Sequence, residues 1–182
     1  LLTALFIMGG LIWTALDLRQ LARSSAARPA QLTGFSSAVI VILFLQLLFG
    51  AWVAGLNAGY VSNSWPLMND RFYPDGIDWS RGAWFALTHD PYLTHFIHRW
   101  WAWVAVAALV WLARRVRKTD RFASIAVHTA FGTMVLLGIA TVMSEVSLWI
   151  AASHQLVGAL TVAATARAMH SDGLARRNAK AA

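Results

Sequence analysis

The stretch Phe96-Ile97-His98-Arg99-Trp100-Trp101-Ala102-Trp103-Val104-Ala105-Val106-Ala107-Ala108-Leu109-Val110-Trp111-Leu112-Ala113 decides the fold. As a helix it is about 27 Å long, close to the thickness of a bilayer's hydrocarbon core. It carries a histidine and an arginine just inside its start. Ionisable side chains at membrane depth are costly and point to function. Residues 148–168 repeat the design, with His154 followed by Gln155. Residues 34–56 and 122–143 are two further apolar blocks of spanning length.

The expected fold is an all-α membrane protein, an antiparallel four-helix transmembrane bundle preceded by one partial transmembrane helix. Of the 182 residues, 58% are hydrophobic and only 13% charged, which fits such a protein. Residues 1–16 form a fifth apolar block of only about 24 Å, short for a full span. It lacks the basic start and small-residue cleavage site of a signal peptide and begins without methionine. The expectation is that residues 1–17 are the last helix of an N-terminal bundle lying upstream. Residues 18–33 then form a cytoplasmic linker, residues 34–170 the four-helix bundle with an outer loop at 57–95, and residues 171–182 a cytoplasmic tail.

The formal charge of +7 could suggest nucleic acid, but its placement argues otherwise. Arg19, Arg23 and Arg28 share one connection, Arg114, Arg115, Arg117, Lys118 and Arg121 the next on that side, and Arg167, Arg176, Arg177 and Lys180 close the chain. If the helices alternate, all fall on one face, while Asp70, Asp75, Asp78, Asp90 and Glu145 fall on the other. That is the positive-inside pattern, so the basic side is cytoplasmic or matrix-side and the partner is membrane lipid. The chain has no cysteine, so any metal is held by histidine, carboxylate or methionine.

Short connections at 114–121 and 144–147 force antiparallel neighbours. A weak repeat pairs Leu47-Leu48-Phe49-Gly50-Ala51-Trp52-Val53 with Val135-Leu136-Leu137-Gly138-Ile139-Ala140-Thr141. Each segment precedes a returning helix that carries a histidine near its outer end, and each contains a glycine that lets backbones approach. Two helical hairpins, each giving one histidine, predict pseudo-twofold packing. The outer loop is rich in Trp, Tyr and turn residues and is expected to lie as a lid over the bundle, with short interfacial helices near residues 79–87.

His98 and His154 are expected about 5 and 10 Å below the outer boundary, from helices running the same way. Haem iron takes axial ligands on opposite faces of the porphyrin, and two facing histidines suit it. Arg99 is placed to pair with a propionate. The alternative is a pair of ordinary hydrogen-bonded interfacial histidines. His95, one turn before His98, could support a propionate, serve a second metal or sit among headgroups. His89 reads as a solvated loop residue. His128 and His170 differ in depth by about 10 Å, a poor match for a second haem. Glu145 reads as an exposed turn acid, with proton handling near a haem edge as the alternative, and Gln46 as a hydrogen bond to a neighbouring helix.

With these residues in view, the run Gly50-Ala51-Trp52-Val53-Ala54-Gly55-Leu56-Asn57-Ala58-Gly59-Tyr60, then Asn63-Ser64-Trp65-Pro66-Leu67-Met68, Phe96-Ile97-His98-Arg99 and Ser153-His154-Gln155 resembles the C-terminal half of the haem A synthase family. The resemblance implies two similar four-helix bundles, each with a histidine pair. It implies an oxidoreductase that converts a porphyrin methyl of haem O to the formyl of haem A for terminal oxidase biogenesis. The N-terminal bundle would carry the chemistry, including a glutamate one turn before its histidine, and the C-terminal bundle a haem b. Carried over, His98 and His154 match the axial ligands of that haem b, and His95 stands where the other bundle has its glutamate. No catalytic residue is then expected in this chain. The implied partners are haem O in the upstream half, an electron donor and haem O synthase, in a bacterial plasma membrane or mitochondrial inner membrane. Two readings compete: a transmembrane b-type cytochrome electron carrier, and a non-haem scaffold or transporter.

Overall fold

The computed structural model describes the backbone of residues 2–24 and 26–181 and side chains as far as residue 179. Leu1, Ser25 and Ala182, with the side chains of Lys180 and Ala181, lie outside the described residues. Lipid offers no hydrogen bonds, so backbone polar groups must pair within each segment, and these apolar blocks have folded as helices. The described residues form six: α1 (Leu2–Arg23), α2 (Gly34–Gly55), α3 (Ala83–His89), α4 (Pro91–Val116), α5 (Arg121–Met143) and α6 (Leu148–Ala181). A 3-10 turn at Ala58–Tyr60 follows α2. All but α3 are long and apolar enough to cross a membrane.

The helix ends explain where the sequence boundaries shift. Pro91 occupies the first turn of α4 and Asp90 caps it, its Oδ1 accepting from the Leu93 N–H at 2.8 Å. The helix therefore starts five residues ahead of the apolar block. Asp120 caps α5 in the same way through the Ala123 N–H at 2.9 Å and also accepts from Arg167 Nε at 2.9 Å, which ties α6 to the start of α5. The helix α1 runs on to Arg23, into the expected linker, and α6 runs unbroken to Ala181, so the expected tail is helical.

Packing is closest between α2 and α4 and between α5 and α6, the two hairpins, with α4 also against α5. The helix α1 lies on α6 and borders an apolar groove between α2 and α6, lined by Phe6, Trp13, Leu43, Leu47, Val162 and Met169 among others. The fully packed apolar interior sits at the basic end, around Val39, Leu112, Val116, Val127 and Ala168. Since lipid is as apolar as these side chains, close packing and not expulsion of water holds this part together.

Polar links reinforce the basic end. Asp172 on α6 is buried; its Oδ1 accepts from Arg115 Nε at 3.0 Å and Nη2 at 2.9 Å, and its Oδ2 from the Thr33 hydroxyl at 3.0 Å. Thr33 also caps α2 by accepting from the Ser36 N–H. Asp17 Oδ1 lies 2.9 Å from His170 Nε2 and accepts from the Ala30 N–H at 2.7 Å, with the Trp13 ring edge-on to His170. Arg177 donates to the Pro29 carbonyl. The segment joining α1 to α2 is thus fastened to α6.

Candidate functional site

His98 is the eighth residue of α4 and His154 the seventh of α6. At 1.5 Å per residue they lie about 10 and 9 Å from their helix starts. The helices α4 and α6 that carry them are in contact.

Each imidazole lies against a glycine of its hairpin partner. A β-carbon on Gly50 would sit 2.9 Å from His98 Cε1, and one on Gly138 would sit 3.2 Å from His154 Cε1. These are the two glycines that align in the internal repeat. Around them the loop-end halves of α2, α5 and α6 hold mostly half-buried or exposed side chains, unlike the basic end.

The donor chemistry suits a metal-centred ligand. Among the described residues His98 Nε2 makes no hydrogen bond, while His98 Nδ1 is 3.2 Å from Gln46 Nε2. Gln46 also donates to the His98 carbonyl at 3.3 Å, so the lone polar residue of α2's apolar stretch does bond a neighbouring helix. His154 Nδ1 is buried without a partner. Two imidazoles with an uncommitted nitrogen apiece, on contacting helices and among apolar side chains, fit the axial positions of a haem.

Arg99 is buried and largely committed to the loop. Its Nη1 donates to the carbonyls of Ser64 and Leu67, at 3.0 and 3.2 Å, and its Nη2 to His95 Nε2 at 3.2 Å. Its Nε is buried with no partner. A guanidinium has five N–H donors, so Nε and one more stay free for a carboxylate. His95 is itself buried, held by Arg99 rather than lying among headgroups.

The loop packs as a lid. Met68 and Ala58 are fully buried, and backbone bonds join Met68 to Arg71. The helix α3 falls where a short interfacial helix was expected, its His89 exposed to solvent, stacked on Phe85 and bonded to Thr88. Asp90 Oδ2 accepts from the Asp78 N–H at 2.9 Å. Hydrogen bonds from Ser80 hold the Asp78 carboxyl below the ordinary carboxylate range. Glu145, in the turn between α5 and α6, accepts from Asn63 at 3.1 Å, so that turn acid is pinned to the lid.

The remaining histidines are not brought together. His128 Nδ1 is 2.8 Å from the Ser124 carbonyl, and His170 bonds Asp17. What sequence analysis missed is the Asp17 and Asp172 network at the basic end. Its only signal was two acids within runs of arginine.

These features define a class: a multi-pass helical membrane protein in which two hairpins each present one glycine-backed histidine near the start of the returning helix. Residues 1–166 match the COX15-CtaA family, cytochrome oxidase assembly protein, and the chain belongs to that family. It is 66% identical over 97% of its length to the heme A synthase of Erythrobacter litoralis, covering 52% of that protein. It is 59% identical over 98% to the heme A synthase of Sphingopyxis alaskensis, covering 50%, and 54% identical over 97% to that of Novosphingobium aromaticivorans, covering 52%. The chain thus spans about half the length of these curated relatives. No solved structure matches. The protein is an integral, multi-pass membrane protein, and its bacterial relatives point to the plasma membrane.

Proposed function

We propose that this chain is the C-terminal, haem b-binding half of a haem A synthase, with His98 and His154 as the two axial ligands. The observation that carries the proposal is the matched pair of imidazoles, each backed by an aligned glycine and each in the first eight residues of its helix. When bound, the haem supplies a one-electron redox centre. The chain's own residues hold and orient it: Gly50 and Gly138 let the rings tuck against neighbouring helices, and apolar side chains keep water away. Arg99 keeps two donors for a propionate while it fastens the lid.

The whole enzyme would oxidise the methyl of haem O to the formyl of haem A in its other half, a step that requires an external oxidant besides any electron donor, with haem O synthase supplying the substrate. This chain contributes no catalytic residue to that step. The basic end faces the cytoplasm and the lid the outer side. The test is spectroscopic: the purified chain should show a low-spin b-type spectrum, abolished by His98→Ala and by His154→Ala. A spectrum unaltered in both variants, or a colourless chain expressed with ample haem, would overturn the proposal.

A further inference from the structure

A cleft between the lid and the α5–α6 turn has a volume of about 310 Å3, the size of a small-molecule site. Residues 59–63, Asn69 and Glu145 line it. Its wall holds no lysine, arginine or histidine, and its one charge is the Glu145 carboxylate. The turn that presents Glu145 joins the outer ends of two helices of spanning length, and Met143, Leu148 and Trp149 beside it are exposed. Apolar and tryptophan side chains exposed at such a place meet lipid, so the cleft lies at the level of the headgroups.

The hydrogen bonds around the cleft decide which of its atoms stay free. Asn63 Nδ2 donates to Glu145 Oε1 at 3.1 Å, and Asn69 Nδ2 to the Val61 carbonyl at 3.0 Å. A carboxylate and a carbonyl only accept, so chemistry fixes the orientation of both amides. The Ser64 hydroxyl donates to the Leu67 carbonyl at 2.9 Å, which leaves Ser62 to donate to Ser64 Oγ at 3.2 Å. Among the described residues, Glu145 Oε2, Asn63 Oδ1 and Asn69 Oδ1 make no hydrogen bond. Both asparagines are exposed, so their spare N–H groups stay hydrated. Glu145 also stands where its turn favours glycine. The Val146 N–H bonds the Thr141 carbonyl and the Glu145 N–H the Val142 carbonyl, closing α5 with Glu145 at φ 53°. Helices that end in this way usually carry glycine there. The turn itself does not select a glutamate; what the glutamate adds is a carboxylate that reaches the lid.

We propose that this cleft binds a primary ammonium, and that its occupant is the ethanolamine headgroup of an outer-leaflet phospholipid. An alkylammonium has three N–H donors and no acceptor, which matches the three free oxygens in number and kind. Its bonds to them are charge-assisted, and the Tyr60 ring in the same wall suits a cation. The acyl chains run on to the lipid that meets Met143, Leu148 and Trp149. Bound there, the lipid joins the lid to the α5–α6 turn, adding to the Asn63–Glu145 bond. His98 and His154 are not in the wall of the cleft, so this site stands or falls apart from the haem ligation.

The test places the chain in phosphatidylcholine nanodiscs, with or without part of the lipid replaced by phosphatidylethanolamine of the same acyl chains. Choline has the same positive charge but no N–H to donate. Native mass spectrometry of the chain released from mixed discs should show phosphatidylethanolamine retained over phosphatidylcholine by about tenfold, within the reach of one charge-assisted bond. Limited proteolysis within residues 62–71 should slow several-fold when phosphatidylethanolamine is present. Glu145→Gln keeps an acceptor for Asn63 but loses the charge, and should abolish both effects. Asp75→Asn removes a charge from an exposed part of the same loop and should preserve both. Equal retention of the two lipids by the parent, a preference that survives Glu145→Gln, or one lost in Asp75→Asn as well would overturn the site. Free ethanolamine added to pure phosphatidylcholine discs distinguishes the sources. Protection of the parent equal to that by the lipid, and absent in Glu145→Gln, would support the ammonium site and overturn the lipid as its occupant. Protection by calcium chloride in place of either amine would overturn the ammonium chemistry.

Discussion

The His98 ring lies so close over Gly50 that the smallest side chain there would press to within 2.9 Å of its Cε1. The matching approach of His154 to Gly138 leaves 3.2 Å. Both are closer than carbon atoms at their optimal separation of about 3.5–4.0 Å, and the first is the tighter.

Alanine at either glycine should therefore displace a ligand ring without removing it. The Gly50→Ala variant should lose more haem per protein than Gly138→Ala, measured as the haem-to-protein ratio after purification at equal haem supply. Equal retention in both variants and the parent would show that the rings have room to move aside.

Arg99 holds the lid through two carbonyls and His95, from a buried position. Hydrogen bonds to charged groups contribute about 1.5–3 kcal/mol each. A lysine has a point charge and no planar fork, so Arg99→Lys cannot keep all three contacts. Limited proteolysis should then cut within residues 62–71 several-fold faster, with the transmembrane helices still intact. An unchanged cutting rate would mean that the lid is held by its aromatic packing alone.

Glu145 and Val146 both take the left-handed conformation, φ 53° and 62°, costly for a β-branched residue. Val146 also packs on Gly59, where a β-carbon would meet its Cγ2 at 2.8 Å. Gly59→Ala alone should destabilise by about 1–3 kcal/mol through overpacking. Adding Val146→Ala should restore much of that loss. The check is a double-mutant cycle of thermal unfolding, where strict additivity would refute the contact's importance.

At the basic end, Asp172 is buried and paired with Arg115 and Thr33. Asp172→Ala leaves a partly buried guanidinium without its anion and should cost about 3 kcal/mol. The loss should appear as a lower midpoint of thermal unfolding in detergent. The haem spectrum at the loop end should stay unchanged below that midpoint.

Sequence alone gave the spans, because twenty apolar residues in lipid have one stable backbone solution, and it gave His98 and His154 because ionisable groups stand out against such blocks. The glycines of the repeat were legible for the same reason. Tertiary structure decided what those residues meet. The cap at Asp90 started α4 five residues ahead of its apolar block, a boundary set by a hydrogen bond and not by hydropathy. Arg99 was legible as a charge but not as the clamp on Ser64 and Leu67, since which carbonyls lie within its reach depends on how a long loop folds back. Asp172 lay in what read as a polar tail, and only the packing of α6 against α4 and the start of α2 turned it into a buried partner. Hydropathy fixes which segments enter the membrane because each is a sum over its own residues. Pairings between residues far apart in the chain depend on where other helices place their partners, so they exist only once the bundle has formed.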